Sequence, residues 1–216
     1  MTKVCLLFLL SAAAVRAETA GAAEAVCGTW VLQQANSVEE LNRLRAHPLQ
    51  MALKTPYLRG FCLRAPWRAV DEDFALYEAG LKLAREHGVQ FSVRFMAGRH
   101  TPARVFALGC PSYRNERGEA VPAPVLPDGL PNVVFEREYD RFVGRLARWC
   151  RANGVRLLHL PWYGQEWAEL YHGREVRALP GYTYDNWLRA HRRLLEIGLK
   201  HSGPRLSVEF PLSGHG

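Results

Sequence analysis

The alternation of strand and helix patterns constrains the fold of this chain more than any other feature of its 216 residues. Short apolar or alternating runs predict five strands, at residues 29–32, 58–63, 89–96, 155–160 and 206–210. Between them lie segments whose apolar residues recur at helical spacing. Strands that alternate with helices pair in parallel through right-handed crossovers. The sequence therefore predicts an α/β fold with a parallel sheet.

The helix boundaries carry local signals of their own. Ser37 followed by Glu40 is a capping-box pattern, which predicts a helix that begins just after Ser37. We expect the next helix to begin at Asp71 and to be stopped by Gly88. Strongly periodic segments predict two longer helices, one from Phe135 that ends at Asn153-Gly154 and one at about residues 184–200.

Two α/β architectures fit this order, the doubly wound sheet and the (β/α)8 barrel. No glycine-rich nucleotide-binding motif follows any predicted strand, which weakens the first. The stretch 97–134 holds six of the thirteen prolines together with aromatic residues, so we expect an ordered, functional loop. Long aromatic loops after strands favour a TIM-barrel-like fold, whose sites are built from such loops.

The first 25 residues have the pattern of a secretory signal peptide. Lys3 precedes an apolar run at 4–15, and small residues follow, with cleavage expected after Ala17 or Ala25. The run is too short to span a bilayer as a helix, and no other segment reaches 18 apolar residues. We therefore expect a secreted or periplasmic protein, with residues 26–216 as its single domain and no membrane association after cleavage.

Charge and cysteine content exclude several classes of function. The formal charge is +7, but the basic residues are interleaved with acids, and the cluster Arg189, Arg192 and Arg193 falls on one predicted helix. A nucleic-acid interface would concentrate them, so no nucleic-acid partner is expected. The four cysteines outside the leader show no metal-ligand spacing and fit either disulfides or buried thiols. Neither a metal nor another cofactor is indicated.

The segment that follows the fourth predicted strand is the strongest candidate for chemistry. There, Glu166 lies within five residues of Trp162, Tyr163 and Trp167. Aromatic rings bind sugar faces, and a partly dry environment raises the pKa of a carboxyl group towards that of a general acid. The alternative is that these rings pack in the core at the end of the sheet.

This pattern resembles the retaining glycoside hydrolases built on (β/α)8 barrels, the clan that includes β-galactosidases and cellulases. In that clan the general acid/base glutamate follows the fourth strand in an Asn-Glu pair, and here the pair is Gln165-Glu166. The segments 60–67 and 94–99 are similar to its substrate-facing segments. The resemblance covers the chain from about residue 28 onward.

The resemblance implies Glu166 as the general acid/base and an oligo- or polysaccharide as the substrate. It further implies a substrate-binding rim made of Arg64, Trp67, Arg99, His100, Trp162, Tyr163, Gln165, Trp167 and Glu209. For Arg64 and Arg99 the alternative is an ion pair with Glu166 or Glu209, and for Trp67 and Trp162 it is core packing. His159, inside the fourth strand, is expected to be buried and hydrogen-bonded.

The sequence departs from the clan in the position of the nucleophile. The clan's nucleophile is a glutamate after the seventh strand, whereas this sequence stops just beyond the fifth, as in a barrel truncated after about five βα units. A retaining glycosidase needs both carboxylates, so the partner of Glu166 is expected outside this sequence. The alternatives are a non-catalytic carbohydrate-binding protein and an exported α/β protein unrelated to sugars. If residues 1–216 are the whole product, we expect poor stability or self-association, because open sheet edges remain.

Overall fold

The computed structural model describes residues 28–46, 48–164 and 173–211. Its strands, in chain order, are β1 (Thr29–Gln34), β2 (Leu58–Pro66), β3 (Gln90–Met96), β4 (Ser112–Arg114), β5 (Ala120–Pro122), β6 (Leu157–His159) and β7 (Ser207–Glu209). Five of them form one parallel sheet in the order β1-β2-β3-β6-β7, and β4 and β5 form a separate antiparallel hairpin. The predicted α/β fold with a parallel sheet is confirmed.

Helices connect the strands of the main sheet. They are α1 (Val38–Arg45), α2 (Pro48–Leu53), α3 (Trp67–Val70), α4 (Ala75–Glu86), α5 (Ala103–Ala107), α6 (Val133–Ala152), α7 (Arg174–Arg177) and α8 (Tyr184–His201), with a 3₁₀ helix at Gly98–His100. The expected start of α4 at Asp71 is wrong, since α4 begins four residues later. Asp71 instead accepts hydrogen bonds from Trp67 and Arg104, which hold it outside the helix.

The start of α1 follows the predicted cap in part. The Ser37 hydroxyl accepts a hydrogen bond from the backbone N–H of Glu40 at 3.2 Å, as a capping box requires. The Glu40 carboxylate does not return to Ser37 but accepts from the backbone N–H of Asn36 at 2.7 Å. The helix therefore begins where the sequence indicates, with a shifted reciprocal bond.

The long helices α4, α6 and α8 pack on one face of the sheet. The ring of Phe142 in α6 lies 4.9 Å from that of Phe95 in β3, centroid to centroid. Gly80 in α4 lies against Leu63 of β2, and Gly198 in α8 lies against Leu160 beyond β6. Because side chains alternate between the two faces of a strand, the residues between these apolar ones point to the opposite face.

The proline-rich stretch between β3 and α6 is ordered, as expected. Asn132 caps α6 by accepting from the N–H of Phe135 at 3.1 Å. Its amide donates to the carbonyls of Ala123 at 2.9 Å and Pro111 at 3.0 Å, and the residue has no exposed surface. One buried amide thus ties two points of this stretch to the start of the longest helix.

Candidate functional site

A row of five polar residues crosses the face of the sheet opposite the long helices. Strand register aligns them side by side, one from each strand, in the order Gln34, Arg64, Arg94, His159 and Glu209. All five lie near the carboxyl ends of their strands. We call this set the polar row. In parallel α/β sheets, ligands bind outside the carboxyl ends of the strands, so the polar row is the candidate functional site.

His159 contacts two other members of the row, Arg94 and Glu209. Its Nδ1 lies 3.0 Å from Oε2 of Glu209, and its Nε2 lies 3.2 Å from the hydroxyl oxygen of Ser92. One terminal nitrogen of the Arg94 guanidinium lies 3.3 Å from Oε1 of Glu209 and 3.3 Å from Nδ1 of His159. The predicted burial and hydrogen bonding of His159 are confirmed, since it is 8 % exposed.

These contacts set the charges of the row. Burial disfavours protonation of His159, but hydrogen bonds with Cys62 and Glu209 outweigh it and raise the pKa of His159 to about 9. The hydrogen bond from His159, with the positive charge of Arg94, lowers the pKa of Glu209 despite its partial burial. At neutral pH the imidazole is therefore protonated and the carboxylate ionised.

A second polar group follows β3 in the 3₁₀ helix. His100 is 4 % exposed, and burial together with the positive charges of Arg99 and Arg68 lowers its pKa to about 4. Arg99 forms an ion pair with Glu119 at 3.1 Å, and Arg68 donates to the backbone carbonyl of Arg99 at 3.0 Å. The ion pair of Arg99 is therefore with Glu119, which was not among the glutamates expected as its partner, and Glu166 lies outside the described residues. His100 is neutral at physiological pH.

Trp67 lies in the core rather than on a rim. The indole has no exposed surface, and its N–H donates to Oδ1 of Asp71 at 3.0 Å. Its ring makes edge contacts with Phe95, Phe135 and Tyr139 at centroid distances of 5.8, 5.9 and 6.1 Å. Stacking on a sugar requires an exposed ring face, so in this arrangement Trp67 packs the core.

The rings that follow β6 are also buried. Trp162 is 5 % exposed, its N–H donates to the carbonyl of Pro211 at 2.7 Å, and its ring lies 4.4 Å from that of Phe210. Tyr163 is 3 % exposed and its ring lies 4.6 Å from that of Phe135. Both rings anchor the start of the segment that leads to Glu166, so core packing describes them better than a sugar platform.

Three of the predicted site residues, Gln165, Glu166 and Trp167, lie outside the residues that the structure describes. Of the other predicted residues, register brings Arg64 and Glu209 into one row. Arg94 and Gln34 belong to the same row but were not predicted as site residues. Strand alternation could have identified Arg94, because it continues the polar face of Gln90 and Ser92 towards the end of β3.

The cysteines and the remaining titratable groups add no further centre. Cys62, Cys110 and Cys150 are buried free thiols, which is one of the two alternatives left open by the sequence, and Cys27 lies outside the described residues. Among residues 28–46, 48–164 and 173–211, no three His, Cys, Asp or Glu side chains are grouped so that they could hold a metal ion. Within the same part of the chain, no helix is long and apolar enough to cross a membrane.

No protein-family model matches this sequence, and no curated protein matches it significantly.

Proposed function

We propose that this protein is an exported glycoside hydrolase-like protein that binds an oligo- or polysaccharide at the carboxyl ends of its parallel strands. The polar row is the observation that carries the proposal. It aligns charged and hydrogen-bonding side chains from all five strands at the edge where the segment with Glu166 begins. Sugar hydroxyls need many directed donors and acceptors in a small area, and this row supplies them.

The arrangement of strands and helices supports the barrel part of the proposal. Sequential strand order, with α4, α6 and α8 on one face, matches the first five units of a (β/α)8 barrel. A doubly wound sheet carries helices on both faces. In a barrel the face with the polar row would line the interior, and its site would lie at the end where the row is found.

In this proposal Glu166 donates a proton to the glycosidic oxygen while a second carboxylate attacks the anomeric carbon, so the bond to the leaving group breaks as a glycosyl ester forms. The Glu166 carboxylate then takes a proton from the water that attacks this ester, which releases the sugar and restores the second carboxylate. Glu209 is not assigned as the nucleophile, because Arg94 and His159 already bind its two carboxylate oxygens. Glu209 pairs with Arg94 and His159 within the row, and the proposal leaves the nucleophile unassigned.

Replacement of Glu166 by glutamine in the full-length protein tests the catalytic assignment. Loss of the proton donor should reduce kcat on an activated or natural glycoside by a factor of about 100 to 10,000, with an unchanged circular dichroism spectrum and melting temperature. Glu169→Gln, three residues away in the same segment, is the matched control and should keep activity. Equal activity of the Glu166→Gln and native proteins would refute the role of Glu166.

A non-catalytic carbohydrate-binding protein is the second candidate. It is favoured by one observation: within the described residues, the carboxylate of the row, Glu209, is engaged in ion pairs. The full-length protein would then bind oligosaccharides without releasing any product during long incubation. If a broad panel of polysaccharides is neither bound nor cleaved, both candidates are wrong, and an α/β protein unrelated to sugars remains.

A further inference from the structure

The polar row carries more positive than negative charge. Arg64, Arg94 and the protonated His159 are cationic, and Glu209 is the single acid among the five members. The cationic residues are aligned by register on three adjacent strands. Because neighbouring strands lie about 4.8 Å apart, these residues lie side by side. Like charges at such spacing repel each other, and an anion placed between them relieves the repulsion.

Arg94 and His159 share one carboxylate. Both donate to Glu209, at 3.3 Å to Oε1 and 3.0 Å to Oε2, while the guanidinium and imidazolium nitrogens are only 3.3 Å apart. The side chains of Arg94 and His159 are 15 % and 10 % exposed. One carboxylate neutralises only one of these two positive charges. Because both cations are largely removed from water, and a buried charge is costly unless it is paired, the remaining positive charge favours binding of an anion.

The row is nevertheless open to solvent at one end. The side chain of Glu209 is 45 % exposed, so a ligand can approach the row from the β7 side of the sheet. The planar guanidinium of Arg94 matches the geometry of carboxylate and sulfate groups and binds them through paired hydrogen bonds. The net positive charge of the row also attracts anionic ligands from a distance.

We infer that the site prefers a glycan bearing an acidic group, a carboxylate or a sulfate, over a neutral one, and that Arg94 and His159 hold this group. The inference rests on the carbohydrate-binding function proposed above. It extends that proposal by naming the chemical class of the substrate.

Calorimetric titration of the full-length protein tests the inference with four ligands. These are a neutral oligosaccharide, a matched oligosaccharide containing uronic acid, its sulfated counterpart, and inorganic sulfate alone. The preferred acidic glycan should bind at least about ten-fold more tightly than the neutral one, as expected for a hydrogen bond to a charged group. Comparing the affinities of the uronic-acid and sulfated oligosaccharides identifies which acidic group the site prefers.

Arg94→Gln should weaken binding of the acidic glycan about ten-fold and weaken binding of the neutral glycan by a clearly smaller factor, since only the acidic glycan also loses the contact with a positive charge. Arg192→Gln is the matched control, since it removes the same charge from an exposed position on α8, and it should change neither affinity. Binding of the acidic glycan to the native protein should also weaken with added salt, while neutral binding should not. This salt test needs no variant and applies even if Arg94→Gln fails to fold.

The outcomes separate this inference from the proposed function. Equal affinity for neutral and acidic glycans, or affinity for the acidic one that is independent of salt, would overturn the inference and leave carbohydrate binding intact. Binding of sulfate alone that depends on Arg94, with no glycan bound, would retain the anion site and refute the carbohydrate function. Absence of binding to all four ligands would refute both.

Discussion

Replacement of His159 by glutamine removes the imidazolium that Glu209 and Arg94 surround, and we expect the resulting loss of stability to depend on pH. The pKa of His159 rises from its usual value of 6.5 to about 9 in the folded protein. A shift of one pKa unit corresponds to about 1.4 kcal/mol, which sets a limit of about 3 kcal/mol. Because the Glu209 side chain is 45 % exposed and solvent screens the pair, we expect about 1–2 kcal/mol.

The direction of the pH dependence of stability follows from the direction of the pKa shift of His159. A group whose pKa is higher in the folded state binds its proton more tightly there, so it stabilises the fold at low pH. The contribution of His159 is complete below pH 6.5 and is lost as the pH rises to about 9. The native protein should therefore exceed His159→Gln in stability by a margin that shrinks across this range.

Urea unfolding at pH 6, 7.5 and 9.5 measures that margin as a difference between the two proteins. His87→Gln, at the carboxyl end of α4, is the matched control and should keep the pH dependence of the native protein. A difference between native and His159→Gln proteins that is constant with pH would refute the reasoning. So would a His159 pKa at or below 6.5 in an NMR titration of the native protein.

Two further substitutions test how the fold is held together. Asn132→Ala should lower the free energy of unfolding by about 2–3 kcal/mol, because it removes the cap of α6 and the amide that donates to the carbonyls of Ala123 and Pro111, of which Pro111 keeps the N–H of Ala123 as a donor; a loss under about 1 kcal/mol in urea unfolding would contradict this role. Gly198→Ala should lower the melting temperature despite the better helix propensity of alanine, because its Cβ would lie 2.6 Å from the ring of Phe210. A raised melting temperature would show that this contact relaxes freely.

Much of the secondary structure could be predicted from the sequence because the signals are local. Periodicity located α6 and α8, and Ser37 marked the start of α1, within a residue or two. The start of α4 was predicted wrongly because Asp71 is bound by Arg104, 33 residues further along the chain, which no local pattern reveals. The carboxyl end of β2 was also placed three residues too early, since its pairing with β3 continues to Pro66.

The aromatic residues near the candidate site also show which features the sequence can predict and which need the structure. Sequence spacing near Glu166 fits both a sugar platform and a core cluster, because a ring that stacks on a ligand and a ring that packs on a neighbour have the same composition. Burial decides between them: Trp67 and Trp162 are 0 % and 5 % exposed. The aromatic neighbours of Trp67 come from β3 and α6, and those of Trp162 come from α8 and the residue after β7, all distant in the chain.

By itself, the sequence determined the alternation of strands and helices, the parallel sheet, and a polar residue near the end of each strand. Only the tertiary structure decided that these residues lie side by side. Pairing register is set between strands by the packing of their apolar faces on the helices, and a shift of one residue would have turned His159 into the core. The contact between His159 and Glu209, 3.0 Å across two strands, is the product of that register.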